Sequence, residues 1–276
     1  MTGRPFEVIC EVEPATRPDL TRIRDQVEVL SPIASRFLIP DNHIGRATVS
    51  SIAVAHEVAQ MGGRSIACLN ARDRNLLGFR RDLLTAAAYG VDEFLFVYGD
   101  RPESGSRSDD LTVRSMITEA REFAQAGAGE SHEVRIGVSS GFRPLPRWKH
   151  AADALYAQVT FSVADLIAWR STIDFDGPVF AGVMVVASAA MARKLTAEID
   201  QLAVPDNIVE RLDRDPHAGV DIAIDLVEQI GDSGLFDGVH LIPVGRYRDV
   251  AARLQPGRTD STLRWNPSPR GERFAQ

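Results

Sequence analysis

Residues 7–13 read EVICEVE, placing carboxylates at Glu7, Glu11 and Glu13 in a stretch that is otherwise apolar. Successive side chains of a strand point to opposite faces. Phe6, Val8, Cys10 and Val12 then make one apolar face, while Glu7, Ile9, Glu11 and Glu13 make the other. A carboxyl that is desolvated and set beside a like charge keeps its proton toward neutrality, as a general acid must. Glu11 is the candidate for that role, with Glu13 as the neighbouring charge. Glu7 and Glu13 have a plainer alternative, pairing with arginines such as Arg36 or reaching solvent at the strand ends.

Other polar groups also follow apolar runs: Asp41, Asn42 and His43; Asn70 and Asp73; Tyr98, Gly99 and Asp100; Ser139 and Ser140; Gln158 and Thr160; and Arg246. Acids and amides of this kind suit a small, nitrogen-rich ligand. The six histidines are scattered and form no Ser/His/Asp or Cys/His grouping, and His43 reads as a loop residue. The set lacks the histidines and cysteines of a metal hydrolase, so no metal site is expected.

These groups need elements to position them. Strand-like runs at 7–12, 37–39, 65–69, 93–97, 135–138, 155–161, 179–185 and 238–241 alternate with helix-period segments at 20–30, 50–61, 76–89, 111–126, 165–171, 189–202 and 220–230. Gly62-Gly63, Gly90 and Gly127 supply helix stops. The alternation predicts a single (β/α)8 TIM barrel over residues 1–254, whose chemistry sits at the C-terminal ends of the strands. Residues 255–276 are rich in Pro, Arg and Ser and predict a short irregular C-terminal tail. No GxGxxG follows any strand, which removes the usual dinucleotide fingerprint.

The 276 residues are 44% hydrophobic and 25% charged, enough for a sizeable core. A net charge of −7 with both signs interspersed argues against nucleic acid as a partner. Cys10 and Cys68 both lie in apolar runs, reading as buried thiols of a reducing compartment. There is no signal-like N-terminal stretch and no run of membrane-spanning length, so a soluble cytoplasmic protein is expected.

The ordered set of segments resembles a known family. Cys10-Glu11-Val12-Glu13-Pro14 resembles the F-E-F-F-P-P strand that opens methylenetetrahydrofolate reductases. Residues 65–70 (SIACLN) look like the family's H-L-T-C strand, and residues 96–102 (FVYGDRP) like its L-R-G-D-x-P loop. AQVTF at 157–161 is similar to I-T-Q-F-F, AGVMVV at 181–186 to P-G-I-L-P-V, and Gly245-Arg246 to an N-R step before the last helix. The match is collinear over residues 5–254.

The resemblance implies a (β/α)8 barrel that reduces 5,10-methylenetetrahydrofolate to 5-methyltetrahydrofolate. It implies Glu11 as the general acid toward N10. It assigns Asp100 and Gln158 to the pterin edge and Arg246 to the folate glutamate tail. Each of these three has a structural alternative: a turn acid, a satisfied interior amide, and an ion pair with Asp249 or a rim acid.

The family's FAD contacts are where the chain departs. The strand-three histidine is matched by Ser65 and the arginine before Gly-Asp by Tyr98. The loop after strand five reads GFRPLP at 141–146, and the next helix is shortened to 147–153. These departures weigh against FAD and resemble a divergent branch of the family lacking the usual FAD-binding residues, which implies direct hydride transfer from NADH, with NADPH left open. Tyr98, Phe142 and Trp148 are candidates to line the nicotinamide space, or to pack as ordinary core and loop residues. A bound FAD or deazaflavin and a non-catalytic folate-binding protein are the competing readings, and a homo-oligomer is compatible with either.

Overall fold

Strands separated by helix-length segments pair in parallel, because each return must cross over the sheet. The computed structural model, which describes residues 5–101, 103–126, 133–199 and 202–255, has that form. Its strands are β1 (Glu7–Glu11), β2 (Arg36–Ile39), β3 (Ser65–Asn70), β4 (Glu93–Val97), β5 (Arg135–Ser140), β6 (Ala154–Val159), β7 (Val179–Met184) and β8 (Gly238–Ile242). They follow one another in sequence order around a closed barrel, with β1 paired in parallel to both β2 and β8. The expected (β/α)8 barrel is therefore observed.

Around it run α1 (Thr21–Leu30), α2 (Ser51–Gln60), α3 (Leu76–Ala88), α4 (Val113–Ala126), α5 (Val163–Arg170), α6 (Ala189–Glu198), α7 (Asp206–Arg214), α8 (Ala218–Asp232) and α9 (Tyr247–Leu254). Beyond Gln255 the proposed tail lies outside the described residues.

The period of two divides the core into two layers. Val8, Cys10 and Val12 of the first strand and its exit pack outward with Ile23, Val27 and Leu30 of α1. Burial with no compensating partner pushes the Cys10 thiol up to about 12. Ile9, Leu38, Ile66, Cys68, Leu95, Ala154, Tyr156 and Phe180 fill the barrel interior. Gly137 makes room for the largest of these, since a Cβ there would lie 2.5 Å from a Tyr156 ring carbon.

Two helices escape the periodicity. In α7 only Ile208 and Leu212 are buried in the charged run DNIVERLDR, too sparse a stripe to announce a helix. In α9 the buried pair is Val250 and Ala251. This helix completes the outer ring through Asp25 of α1, which accepts from Tyr247 Oη at 2.5 Å and pairs with Arg248. Between β5 and β6 the chain forms only a 3-10 turn, Arg147–Ala151, in keeping with the shortened segment read at 147–153.

Candidate active site

The inward face of β1 meets two environments. At the N-terminal end Glu7 accepts from Arg36 Nε at 3.2 Å, and Arg36 also pairs with Glu93. This is the arginine pairing left open for Glu7. Above it lies the apolar interior, and above that Glu11, 7% exposed at the end of the strand.

Glu11 faces a residue that sequence reasoning missed. His240 lies on β8, where the parallel pairing sets it beside Ile9. Its Nε2 is 3.1 Å from Glu11 Oε2 but off the line of a hydrogen bond, and among the described residues this nitrogen has no hydrogen-bond partner. The imidazole stands edge-on to Tyr156, ring centroids 6.2 Å apart. A signal did exist: the same alternation that turns Glu11 inward turns His240 inward between Val239 and Leu241 of the outer core. Cys68 lies near the pair. Burial raises its thiol well above the ordinary 9.0, and the charges of Glu11 and Asp41 add to that.

Glu13 is not the group set against Glu11. Its carboxylate accepts from Arg22 Nη2 at 2.8 Å, and its backbone N–H donates to Gln26 Oε1 at 3.1 Å. Both partners belong to α1, which draws Glu13 to the rim and offsets its charge there.

Gln158 is exposed at the end of β6, on the inward parity of Ala154 and Tyr156. The register of β6 against β7 slips between Ala157 and Val159. Gly182 permits the slip, because a Cβ there would come within 2.7 Å of the Ala157 carbonyl. A bulge of this kind re-aims a side chain at a barrel rim.

Asp100 is exposed, and its Oδ2 accepts from the Ile44 N–H at 2.9 Å, linking the loops after β4 and β2. Ile44 has φ 58° and Val244, after β8, has φ 46°. Left-handed backbone is costly for a β-branched residue. The loops leaving both strands that flank β1 thus hold strain, as functional loops often do. Asp41 and Asp73, also on this face, are held by donors of the β3 end and its loop. Asn70 Nδ2 donates to Asp41 and Asp73 at 2.8 Å each, and Arg74 pairs with Asp41 and Asp82.

Arg246 caps α9, its Nη1 3.6 Å from Asp249 Oδ2, and so adopts the pairing left open for it. It also lines a cleft of 320 Å³ with His217, Gly219 and Asp221. Tyr98 is 46% exposed. Phe142 packs edge-on to Trp169 at 5.7 Å, among the partly buried residues of the outer core. Lys149 beside Trp148 donates to the Ser139 carbonyl at 2.7 Å, and burial lowers its ammonium pKa.

Ser65 requires a correction. It opens β3 at the N-terminal end of the barrel, where its hydroxyl donates to the Ala55 carbonyl. Its replacement of a histidine therefore carries no information about a cofactor at the opposite end. Among the described residues no group of three His, Cys, Asp or Glu side chains is placed to hold a metal, and no helix is long and apolar enough to cross a membrane.

Residues 146–254 match the sequence model of the methylenetetrahydrofolate reductase family. The resemblance to that family stands. The matched stretch carries Gln158, His240 and Arg246, while Glu11, Tyr98 and Asp100 precede it. A Clostridium thermocellum protein described as binding two copies of 5-methyl-5,6,7,8-tetrahydrofolic acid is similar in fold at TM-score 0.63 and 11% identity, covering 91% of this chain and 94% of that one. A tryptophan synthase structure from M. tuberculosis superposes at TM-score 0.51 and 12% identity, covering 91% and 92%. At such identities the likeness is one of fold. No curated protein matches the sequence.

Proposed function

We propose that the chain is an oxidoreductase that reduces 5,10-methylenetetrahydrofolate to 5-methyltetrahydrofolate with hydride from NADH and without flavin. The observation that carries this reading is the Glu11 carboxyl. It is buried at the C-terminal end of β1, 3.1 Å from His240 Nε2, and no hydrogen bond from any described residue reaches it. A carboxyl left unsatisfied at the mouth of a TM barrel is available to a substrate. The family match over 146–254 and the folate ligand of the Clostridium thermocellum protein supply the substrate class.

Opening the five-membered ring of the substrate requires a proton on the departing N10. Glu11 gives that proton, the C–N10 bond breaks, and the N5 iminium accepts hydride from nicotinamide C4 on its methylene carbon. One proton and one hydride are consumed, yielding NAD⁺ and the methyl product. His240, whose Nε2 lies against the same carboxyl, is a positioning residue for Glu11. Gln158, at the register shift near the end of β6, hydrogen-bonds the pterin edge. Asp100 offers its second oxygen to the pterin donors while the first holds the Ile44 loop.

Where the chain departs from the family's flavin-binding segments, its side chains are engaged with one another, which supports the flavin-free reading. One face of the Tyr98 ring is covered by Arg72, Phe142 is turned against Trp169, and the Lys149 ammonium is engaged by the Ser139 carbonyl. These placements support hydride transfer directly between the two substrates, whose reacting atoms must come within about 3–3.5 Å. The test is anaerobic NADH oxidation with methylenetetrahydrofolate, with and without added FAD. A colourless preparation that turns over at the same rate in both is the expected result. Turnover that depends on FAD removes the flavin-free reading, and folate binding without turnover leaves a binding protein.

A further inference from the structure

We propose that Arg72, Tyr98 and Arg107, on the loops after β3 and β4, form an anchoring site for the diphosphate of the dinucleotide hydride donor. This rests on the reductase reading and names where that second substrate is held.

Arg72 stands out by contrast with its neighbour. Arg74, two positions on, is held by Asp41 and Asp82. The Arg72 guanidinium has no carboxylate partner among the described residues, and its Nε is buried with no hydrogen-bond acceptor. Instead it lies over the Tyr98 ring, 4.8 Å from the centroid. The contact with the ring holds the guanidinium in place and leaves its terminal Nη donors without a partner among the described residues, which suits recognition of a phosphate.

The backbone holds this arrangement in place. The Arg72 N–H donates to the Tyr98 carbonyl at 3.0 Å, and the Arg72 carbonyl accepts from the Ser108 N–H at 2.6 Å. Gly99, at φ 97°, lets the two loops touch, since a Cβ there would lie 2.8 Å from Asn70 Cβ. From the second loop Arg107 reaches the Tyr98 hydroxyl, Nη1 to Oη 3.4 Å. Its own partner Asp109 is 71% exposed, so that pair is screened by water and yields readily to a stronger anion. Two cations thus flank one half-exposed aromatic ring in a chain whose net charge is −7.

The position of the cluster indicates which substrate it serves. In the closed ring of strands β4 lies across from β8, which leads into Arg246. Arg246, the residue that the family resemblance gives to the folate tail, lies across the mouth from this cluster, which leaves the near rim to the hydride donor. Diphosphate matches the chemistry: a doubly charged group with oxygens for both arginines. The carboxylates of a folate tail share the anion chemistry but belong to the other rim.

The test uses the full-length protein and ADP-ribose, which carries the diphosphate and adenosine of NADH without nicotinamide. Calorimetry should show binding to the wild type, weakened about tenfold or more in Arg72→Gln and several-fold in Arg107→Gln, the size expected for charge-assisted contacts. Unchanged melting temperatures would establish that both variants fold. In turnover the loss should fall on KM for NADH, with KM for methylenetetrahydrofolate unmoved. Absence of ADP-ribose binding by the wild type, or equal affinity in all three proteins, overturns the site. A rise in folate KM with NADH unaffected overturns it in favour of the folate tail. Arg72-dependent ADP-ribose binding by a wild type that fails to oxidise NADH would overturn the reductase reading and leave the diphosphate site standing.

Discussion

Glu7 and Glu11 leave the same face of one strand and meet opposite surroundings. At the N-terminal end of the barrel Glu7, Arg36 and Glu93 form a closed network in which the arginine is held by both acids, and its guanidinium also lies over Phe180. At the C-terminal end Glu11 finds an imidazole off the line of a hydrogen bond and, among the described residues, no hydrogen-bond donor. The first arrangement satisfies charge within the protein, and the second leaves an acid for something outside it. In this barrel the distinction between a structural and a chemical carboxylate is one of partners, since residue type and strand are shared.

The comparison can be broken from either end. Glu11→Gln should lower turnover by about 10²–10⁴-fold, the usual contribution of a general acid, with folate affinity and melting temperature little changed. Rapid-mixing NADH oxidation beside equilibrium folate binding reads both quantities, and equal rates in the two proteins would remove Glu11 from the chemistry. Arg36→Met should do the reverse. Stranding the buried Glu93 together with the half-buried Glu7 is expected to cost about 3–5 kcal/mol in urea unfolding, while kcat of the remaining folded protein holds.

A subtler difference lies in pH. Burial raises the Glu93 carboxyl above its ordinary 4.5, outweighing the opposing charges of Arg36, Arg64 and Arg135. The folded chain therefore holds this proton more tightly than the unfolded one. The resulting stabilisation is complete below pH 4.5 and is lost as pH rises through the raised value. Glu93→Gln should flatten that part of the stability curve, measured as urea midpoints from pH 4 to 7. The smallest effect is expected at Glu13. Its exposed pair with Arg22 is worth about 0–1 kcal/mol, and Glu13→Gln should leave the pH–rate profile unmoved. A displaced profile would restore Glu13 as the charge acting on Glu11.

Much of this was legible in the chain. Alternation along β1 placed Val8, Cys10 and Val12 on the helix side and Glu11 inside, because a strand has one side-chain period and both faces of this one are buried. The eight strands and seven of the helices were readable for the same reason: their apolar spacing repeats over enough residues to exceed chance. The helices α7 and α9 were not, since two buried side chains in a charged segment carry too little pattern.

Local period and order along the chain carry the barrel, the inward carboxylates and the resemblance to a reductase family. Which acid is neutralised and which is left open follows from how distant elements pack. Closing β8 onto β1 brings His240 to Glu11, packing α1 on the sheet brings Arg22 to Glu13, and joining the loops after β3 and β4 lays Arg72 over Tyr98. Partners such as His240 and Glu11 stand far apart in the chain. Coulombic and hydrogen-bond energies depend on distance in space, so no local pattern encodes them.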